Sequence, residues 1–277
     1  MAVDWRSFEP VLIPEIENLH EIDVYMENGG YEALRKVLSD DWSPGSVIDE
    51  VKAANIRGRG GAGFNAGLKW SFMPEPDGKP RYLACNGDES EPGTFKDRMI
   101  FEYNPHLFIE GALIAAYAMQ CTTIYVYIRG EYIDWIRMLD KALADAYEKG
   151  FIGKDILGSG FSVDFYTYTG AGAYICGEET SMLESLEGKR GYPRVKPPFP
   201  AQNGLWGRPT TINNIETLSN VPLVINNGAK WFKSIGAETH PGPLLYGISG
   251  HVNRPGVYEL PSGVPVLEMI HEVAGGM

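Results

Sequence analysis

Short apolar runs alternate along the chain with longer stretches in which apolar residues recur every three to four positions. The short runs predict strands over 82–85, 122–128 and 161–168, and the longer stretches predict helices over 105–119 and 131–149. Strands and helices that alternate at this spacing form right-handed βαβ units, which build a mainly parallel sheet covered by helices. The pattern therefore predicts an α/β fold.

Proline and glycine divide the rest of the chain. Residues 1–30 show no regular pattern and are predicted to be an N-terminal arm. Residues 31–238, which contain the alternating strands and helices, are predicted to be one ligand-binding domain. This domain begins with two short helices, over 31–38 and 46–55, that lead into a glycine-rich stretch.

The pattern changes near residue 239. Residues 244–250 and 256–261 predict a β-hairpin, and a short helix is predicted over 265–274. A hairpin and one helix bury too little apolar surface to form an independent core. Residues 239–277 are therefore predicted to be the incomplete start of a small second domain.

Composition narrows the class of protein. The net charge of −12 argues against partners such as nucleic acid or an anionic membrane surface. The chain has neither an apolar run of about 18 residues nor a basic and then apolar N-terminus, so a cytoplasmic location without membrane insertion is expected. Cys85, Cys121 and Cys176 are too few and too far apart for a disulfide framework or a metal site, and each is expected to be a small buried hydrophobe.

The glycine-rich stretch at 58–67 contains five glycines in ten residues. Such a backbone can approach a phosphate or a flat ring closely, and Arg59 and Lys69 add positive charge. Phe64 and Phe72 offer aromatic faces for a ring. The spacing also matches the G-x-G-x-x-G pattern, but a predicted helix precedes it where the dinucleotide fingerprint requires a strand.

Two further loops follow predicted strands. The loop at 86–98 carries three carboxylates within four residues, and the loop at 170–180 is rich in glycine and ends in Glu178 and Glu179. Ligands bind outside the carboxyl ends of strands in open α/β sheets, so both loops are predicted to line one pocket. Capping of the following helix is an alternative interpretation of Glu178.

Residues 188–218 carry two more candidate features. The long loop at 188–209 is rich in proline and glycine and is predicted to be functional because of its length. The residues after it, 210–218, predict the start of a helix. Asn213 or Asn214 is a plausible N-cap there, which is as simple an interpretation as ligand binding.

Together, the loops resemble the flavin- and NADH-binding subunit of respiratory complex I, the bacterial counterpart of the mitochondrial 51 kDa subunit. The matching segments, in the order of the family, are 58–70, 85–98, 170–189, 196–201 and 209–218. The resemblance implies a non-covalently held FMN in a Rossmann-like domain, followed by a β-grasp-like, ubiquitin-like domain. It also implies that NADH donates a hydride and that electrons leave singly to iron–sulfur clusters.

The resemblance also implies roles for individual residues. On the FMN side these are Gly58, Arg59, Gly60 and Lys69 for the phosphate, Asn86, Asp88 and Ser90 for the ribityl chain and ring, Tyr174, Gly177, Glu178 and Glu179 along the nicotinamide face, and Asn213, Asn214 and Thr217 at the phosphate end. On the NADH side these are Phe64, Phe72 and Phe199 around the adenine, and Glu91 and Lys196 as polar contacts. Tyr174 and Glu179 are expected nearest to the reacting atoms, although hydride transfer needs no acid or base. The carboxylates of Glu91 and Glu179 predict a preference for NADH over NADPH.

The sequence departs from the family at its end. The cysteine-rich helical domain that would ligate a 4Fe–4S cluster does not follow residue 277, so the chain is interpreted as C-terminally truncated and unable to hold that cluster. Asn65-Ala66 stands where Pro-Thr is usual, and Gly87 replaces a common alanine.

The expected partners are other subunits of the peripheral arm, above all the thioredoxin-like 2Fe–2S subunit, at the cytoplasmic face of the membrane, with a quinone as acceptor. Two alternatives stay open. The first is the diaphorase subunit of an NAD-linked hydrogenase or formate dehydrogenase. The second is a flavin- or nucleotide-binding module without turnover.

Overall fold

A four-stranded parallel sheet lies at the centre of the computed structural model, which describes residues 4–39 and 41–277. Its strands are β1 (Tyr82–Gly87), β2 (Thr123–Ile128), β3 (Asp164–Thr169) and β4 (Thr210–Asn214), in the spatial order β3-β2-β1-β4. All three neighbouring pairs are parallel. The predicted α/β fold with a mainly parallel sheet is therefore confirmed.

Helices cover both faces of this sheet. In chain order, the α-helices of the described residues are α1 (Ile22–Glu27), α2 (Glu32–Val37), α3 (Pro44–Ala53), α4 (Ala66–Trp70), α5 (Asp97–Tyr103), α6 (Pro105–Met119), α7 (Ile133–Glu148), α8 (Glu179–Leu186), α9 (Pro200–Asn203), α10 (Ile215–Asn227), α11 (Ala229–Ser234) and α12 (Val266–Glu268). Leu83 and Cys85 of β1 belong to the large core that includes α6 and α10. Ala84, on the opposite face, belongs to a smaller core with residues of α8.

The strand β4 corrects one prediction. Residues 210–218 were expected to begin a helix, but the first five residues form a strand and α10 begins at Ile215. The β-branched residues Thr210, Thr211 and Ile212 favour a strand, and β4 pairs with β1 from Tyr82 to Asn86. The chain thus runs β1, β2, β3 in one direction and returns to the other side of β1, which makes the crevice between β1 and β4 the topological switch point.

Five short helices were not predicted from the sequence. The helices α1, α4, α5, α9 and α11 have two turns or fewer, too few to show a helical period. One of them, α1, lies in the predicted N-terminal arm, where it buries Ile22 and Tyr25.

The last residues form small antiparallel pairs. These are β5 (Gly236–Ala237) with β6 (His240–Pro241), and β7 (Pro243–Ile248) with β8 (Gly256–Pro261). The predicted hairpin is confirmed, and α12 continues as one wider turn over Met269–Val273. The carboxylate of Glu259 in β8 accepts hydrogen bonds of 2.9–3.0 Å from the backbone amides of three successive residues of the arm, residues 11–13. The arm is thereby tied to the hairpin.

The buried histidine at the start of α6 is expected to make the fold less stable as pH falls. His106 is fully buried, with Nδ1 3.0 Å from the Tyr31 hydroxyl, and burial lowers its pKa to about 4. The unfolded chain takes up this proton near pH ~6.5, so the free energy of unfolding should fall between pH ~6.5 and about 4, by about 3 kcal/mol at most.

Urea unfolding across that pH range measures the effect. His106→Gln should show a smaller loss of stability on acidification than the wild type. The same substitution at the exposed His251 serves as the control and should follow the wild type. Equal acid sensitivity in all three proteins would contradict this assignment.

Candidate functional site

A large cavity lies at the carboxyl ends of β1 and β4, where the strand order reverses. Its volume is about 880 Å³, towards the upper end of the roughly 300–1,000 Å³ typical of small-molecule sites. Its walls come from the glycine-rich stretch at 58–67, the loop after β1, the loop after β3 and the end of β4. The prediction that these loops converge on one pocket is therefore confirmed.

The glycine-rich stretch folds back on itself between α3 and α4. The Gly58 amide donates to the Phe64 carbonyl and the Ala66 amide donates to the Ile56 carbonyl, both at 2.8 Å. The side chain of Asn65 then caps α4 by accepting the Leu68 amide at 2.8 Å. A helix precedes the stretch, as predicted, and the asparagine that departs from the family pattern has a structural role as a cap.

Arg59 is buried beneath this stretch. Its Nη2 donates to the carbonyls of Pro241 and Pro243, at 2.8 and 3.2 Å. Its Nε and Nη1 have no acceptor within the described part of the chain. Burial lowers the pKa of this guanidinium, against the opposing effect of Glu216. The guanidinium of Arg59, which was predicted to bind the ligand, therefore uses one of its nitrogens to bind the backbone that leads into the hairpin.

The loop after β1 presents polar groups to the cavity. Asn86 Nδ2 donates to the Gly177 carbonyl at 2.9 Å and so connects this loop to the second glycine loop. The hydroxyl of Ser90 donates to the carboxylate of Asp88. Burial raises the pKa of Asp88 despite this hydrogen bond. The loop therefore brings to the cavity wall the amide of Asn86, the hydroxyls of Ser90 and Thr94, and the carboxyl groups of Asp88 and Glu91.

The two glutamates at the start of α8 share Lys196, which lies 3.2 Å from Glu178, but only Glu178 caps the helix. Glu178 caps the helix, because its Oε2 accepts the amides of Thr180 and Ser181 at 2.9 Å, so the capping interpretation is confirmed. Glu179 pairs with two lysines at the cavity, Lys196 at 2.6 Å and Lys69 at 3.3 Å. Burial opposes ionisation of Glu179, but the two lysines outweigh burial and lower its pKa.

Aromatic side chains surround the cavity mouth. The Tyr174 hydroxyl donates to Glu91 at 2.5 Å, and the rings of Phe64 and Phe72 lie 6.0 Å apart. All the residues predicted for the site line the cavity except Phe72 and Phe199. Those two side chains are about half exposed outside its wall.

The sequence missed several groups at the cavity. Lys96 and Asp97 line it beside Glu89, which accepts their backbone amides at 2.9 Å. Burial is the main reason that the pKa of Glu89 rises to about 7. The three carboxylates at 88–91 predicted that this loop lies at the site. The sequence did not indicate that Glu89 would accept backbone amides of its own loop.

His240, one of five histidines in the chain, lies beside the glycine-rich stretch although the two are far apart in the sequence. A Cβ atom built on Gly63 would lie 3.4 Å from the His240 ring. The reason is that β6 packs beside the glycine-rich stretch, where Arg57 also reaches the Thr239 carbonyl at 3.5 Å. The sequence gave no indication of that contact.

The residues present fit a bound phosphorylated, ring-containing ligand. Nε and Nη1 of Arg59 and Nδ2 of Asn213 are buried without an acceptor in residues 4–39 and 41–277. An unpaired buried donor costs roughly 1–3 kcal/mol, so a polar ligand that accepts these hydrogen bonds would stabilise the site. FMN offers such acceptors in its phosphate, ribityl and ring oxygens.

Three properties of the described residues concern membrane spans, metal sites and disulfides. None of their helices is both long enough and apolar enough to cross a membrane. They also contain no group of three or more His, Cys, Asp or Glu residues placed to hold a metal ion. All three cysteines lie buried without a disulfide.

A parallel sheet of order 3-2-1-4 with a large cavity at its switch point defines an open α/β protein with a ligand site at the carboxyl ends of its strands. Residues 51–223 match the family model described as the Nuo51 FMN-binding domain, and residues 245–277 match that of the SLBB domain. The chain belongs to the Nuo51 FMN-binding domain family, the family that its sequence resembles.

Curated relatives agree with this assignment. The chain is 55% identical over 271 residues to an NADH-quinone oxidoreductase subunit of Rhizobium meliloti (strain 1021), a match that covers 97% of the chain and 64% of the relative. It is 54% identical over 258 residues to the like-named subunit of Aquifex aeolicus (strain VF5), which covers 93% of the chain and 60% of that relative. The chain thus spans about three fifths of the length of these relatives.

A solved structure is also similar. The crystal structure of an NAD+-reducing NiFe-hydrogenase in the air-oxidised state matches with a TM-score of 0.75 and 40% identity. The match covers 82% of this chain and 38% of that one. The same fold therefore occurs in a second kind of NAD-linked enzyme.

Proposed function

We propose that the chain binds FMN and NADH in the cavity between β1 and β4 and oxidises NADH, as the corresponding part of the NADH-oxidising subunit of an NADH-quinone oxidoreductase. One observation carries the proposal. Within residues 4–39 and 41–277, buried donors of Arg59 and Asn213 have no acceptor, and they meet the ion pairs of Glu179 in one cavity of about 880 Å³. A dinucleotide and a flavin both need donors for phosphate and acceptors for ribose or ribityl hydroxyls.

The phosphate of FMN is assigned to the end of the cavity formed by the glycine-rich stretch, Asn214 and Thr217. There the Thr217 hydroxyl accepts the Arg59 amide at 2.8 Å and so fixes the glycine-rich backbone to α10. The Oδ1 of Asn213 accepts the Trp70 indole N–H at 3.2 Å, and its side-chain NH2, which has no partner in residues 4–39 and 41–277, is available to the ligand. These contacts would orient the cofactor before NADH arrives.

The ring and ribityl chain are assigned to the loop after β1 and to Gly177. Asn86 fixes the distance between these two loops through its hydrogen bond to the Gly177 carbonyl. When bound, FMN supplies a ring that accepts a hydride and releases electrons one at a time. The residues of this chain contribute orientation, because hydride transfer requires close stacking of two rings.

NADH is assigned to the open side of the cavity. Phe64, Phe72 and Phe199 offer exposed rings for the adenine, and the hydrogen-bonded pair of Tyr174 and Glu91 borders the mouth. The pyrophosphate of NADH placed here would compete with Glu179 for Lys196, and the phosphate of FMN would compete with it for Lys69. Glu179, which would then be freed, would accept ribose hydroxyls.

Electrons would leave to iron–sulfur clusters of neighbouring subunits, above all the thioredoxin-like 2Fe–2S subunit, at the cytoplasmic face of the membrane. The similarity to the NAD+-reducing hydrogenase favours a second candidate, a diaphorase subunit of such an enzyme. Mass spectrometry of proteins that co-purify with the chain from its native cells separates the two. Hydrogenase subunits would support the second candidate, and subunits of complex I the first.

An anaerobic titration tests the site directly. The folded chain is reconstituted with FMN, then given NADH while flavin absorbance is followed. Bleaching by NADH would support a complete hydride-transfer site. Bound FMN that stays oxidised would instead favour a binding module without turnover, and a chain that binds no FMN would refute the proposal.

Glu179 is expected to favour NADH over NADPH. Its carboxylate would repel the 2′-phosphate of NADPH, and it also holds two lysines that would otherwise attract that phosphate. Glu179→Gln should therefore lower the ratio of kcat/KM for NADH to that for NADPH by about tenfold or more, which corresponds to about 1.4 kcal/mol.

Glu184→Gln is the matched control, because Glu184 lies on the same helix in an ion pair with Arg194 and outside the cavity wall. It should keep the wild-type preference. An unchanged preference in Glu179→Gln, or equal rates of the wild type with both dinucleotides, would be evidence against this role.

A further inference from the structure

Three charged side chains form a buried cluster beneath the cavity. Lys96 Nζ lies 2.7 Å from a carboxylate oxygen of Asp97 and 2.7 Å from one of Glu216. The exposed fractions of the three side chains are 16%, 5% and 0%. We call Lys96, Asp97 and Glu216 the buried triad.

The triad connects the cavity to the C-terminal hairpin. On the cavity side, Asn214 Nδ2 donates to the second oxygen of Asp97 at 2.6 Å. On the hairpin side, the backbone amide of Leu245 in β7 donates to the second oxygen of Glu216 at 3.0 Å. Lys96 and Asp97 line the cavity, whereas Glu216 lies outside its wall and pairs with Lys96.

The triad carries a net charge of −1 when all three groups are ionised. Burial alone would lower the pKa of Lys96, but the two carboxylates outweigh burial and raise it above its ordinary value, so the lysine stays positive. Because the carboxylates of Asp97 and Glu216 are almost fully buried, this excess negative charge acts on the cavity more strongly than an exposed charge would.

We propose that Glu216 is a positioning residue that sets the charge and geometry of the cofactor cavity through Lys96. Its carboxylate, fixed by the backbone of β7, makes the triad negative, and this disfavours the reduced, more negative form of a bound flavin. This inference rests on the proposed function, since it concerns FMN in the cavity. It adds that the hairpin takes part in tuning the cofactor.

The test compares flavin midpoint potentials in the FMN-reconstituted chain. Glu216→Gln keeps an acceptor for the Leu245 amide but removes one negative charge. It should raise the midpoint potential by about 30 mV, which is a tenfold shift in the equilibrium of a two-electron couple. Asp97→Asn also removes one charge from the triad and should shift the potential in the same direction. An unchanged potential in Asp97→Asn would overturn the inference even if Glu216→Gln does not fold.

Glu259→Gln is the matched control, because Glu259 is a buried carboxylate of the same hairpin that binds arm amides away from the cavity. Burial raises the pKa of Glu259 to about 7, so the potentials are compared above that pH. A purely structural role for Glu216 would change thermal stability in both variants and leave the potential of both unchanged. That result, or a lower potential in Glu216→Gln, would overturn the inference. Failure of the wild type to bind FMN would count against the proposed function and is distinguishable from both.

Discussion

A valine in place of Gly60 is expected to abolish FMN binding at micromolar cofactor while the fold stays intact. Gly60 lines the cavity, and a Cβ atom added there would lie 3.2 Å from Cβ of Asn214. The two further methyl groups of valine would have to enter the cavity or push Asn214 away. Asn214 would then lose its place beside Asp97 and Thr217, at the end assigned to the phosphate.

The expected loss of FMN affinity is at least about 100-fold, or about 2.7 kcal/mol. Titration by quenching of flavin fluorescence measures it, and circular dichroism during heating reports on the fold. Gly45→Val is the matched control, because Gly45 is exposed and an added Cβ would have its nearest neighbour at 3.9 Å. Binding by Gly60→Val within tenfold of the wild type would show that the glycine does not face the cofactor.

Local patterns in the sequence were enough to predict the parts of the site that lie next to one another in the chain. The glycine-rich stretch, the loop after β1 and the loop before α8 each follow a helix or strand that the apolar pattern indicates. Their common position follows from the rule that carboxyl ends of parallel strands share one edge. On this basis Gly60, Asp88 and Glu179 were predicted to line one cavity, and they do.

Contacts between distant segments could not be predicted in the same way. Lys96 and Glu216 are far apart in sequence, and their pairing depends on β4 lying beside β1, although the residues of β4 were predicted to begin a helix. The position of Arg59 depends on the docking of the segment around Pro241 and Pro243. The domain boundaries predicted at residues 30 and 238 stay predictions. Hydrogen bonds cross both positions: Leu12 of the arm binds Glu259 of the hairpin, and Leu245 of the hairpin binds Glu216 of the sheet domain.

The contact between α6 and α10 shows how packing far from the cavity supports it, and it leads to the largest expected loss of stability. A Cβ atom on Gly111 of α6 would lie 2.0 Å from the carbonyl oxygen of Leu218 in α10. Real atoms do not approach so closely, so any side chain at this position must push the two helices apart. Since α10 begins directly after Asn214 and carries Thr217, this movement would also displace one end of the cavity.

Gly111→Val should therefore lower the free energy of unfolding by about 4 kcal/mol or more, in the range of severe overpacking. Gly111→Ala gives the sharper comparison, because alanine normally stabilises a helix by roughly 0.5–1 kcal/mol relative to glycine. At the exposed Gly45 of α3, alanine should have that ordinary effect, whereas at Gly111 it should destabilise the fold and weaken FMN binding. Urea unfolding of the two alanine variants measures the contrast. If alanine changed the free energy of unfolding equally at Gly111 and Gly45, the backbones of α6 and α10 could not be in direct contact at Gly111. The claim that α6 supports the cavity would then be wrong.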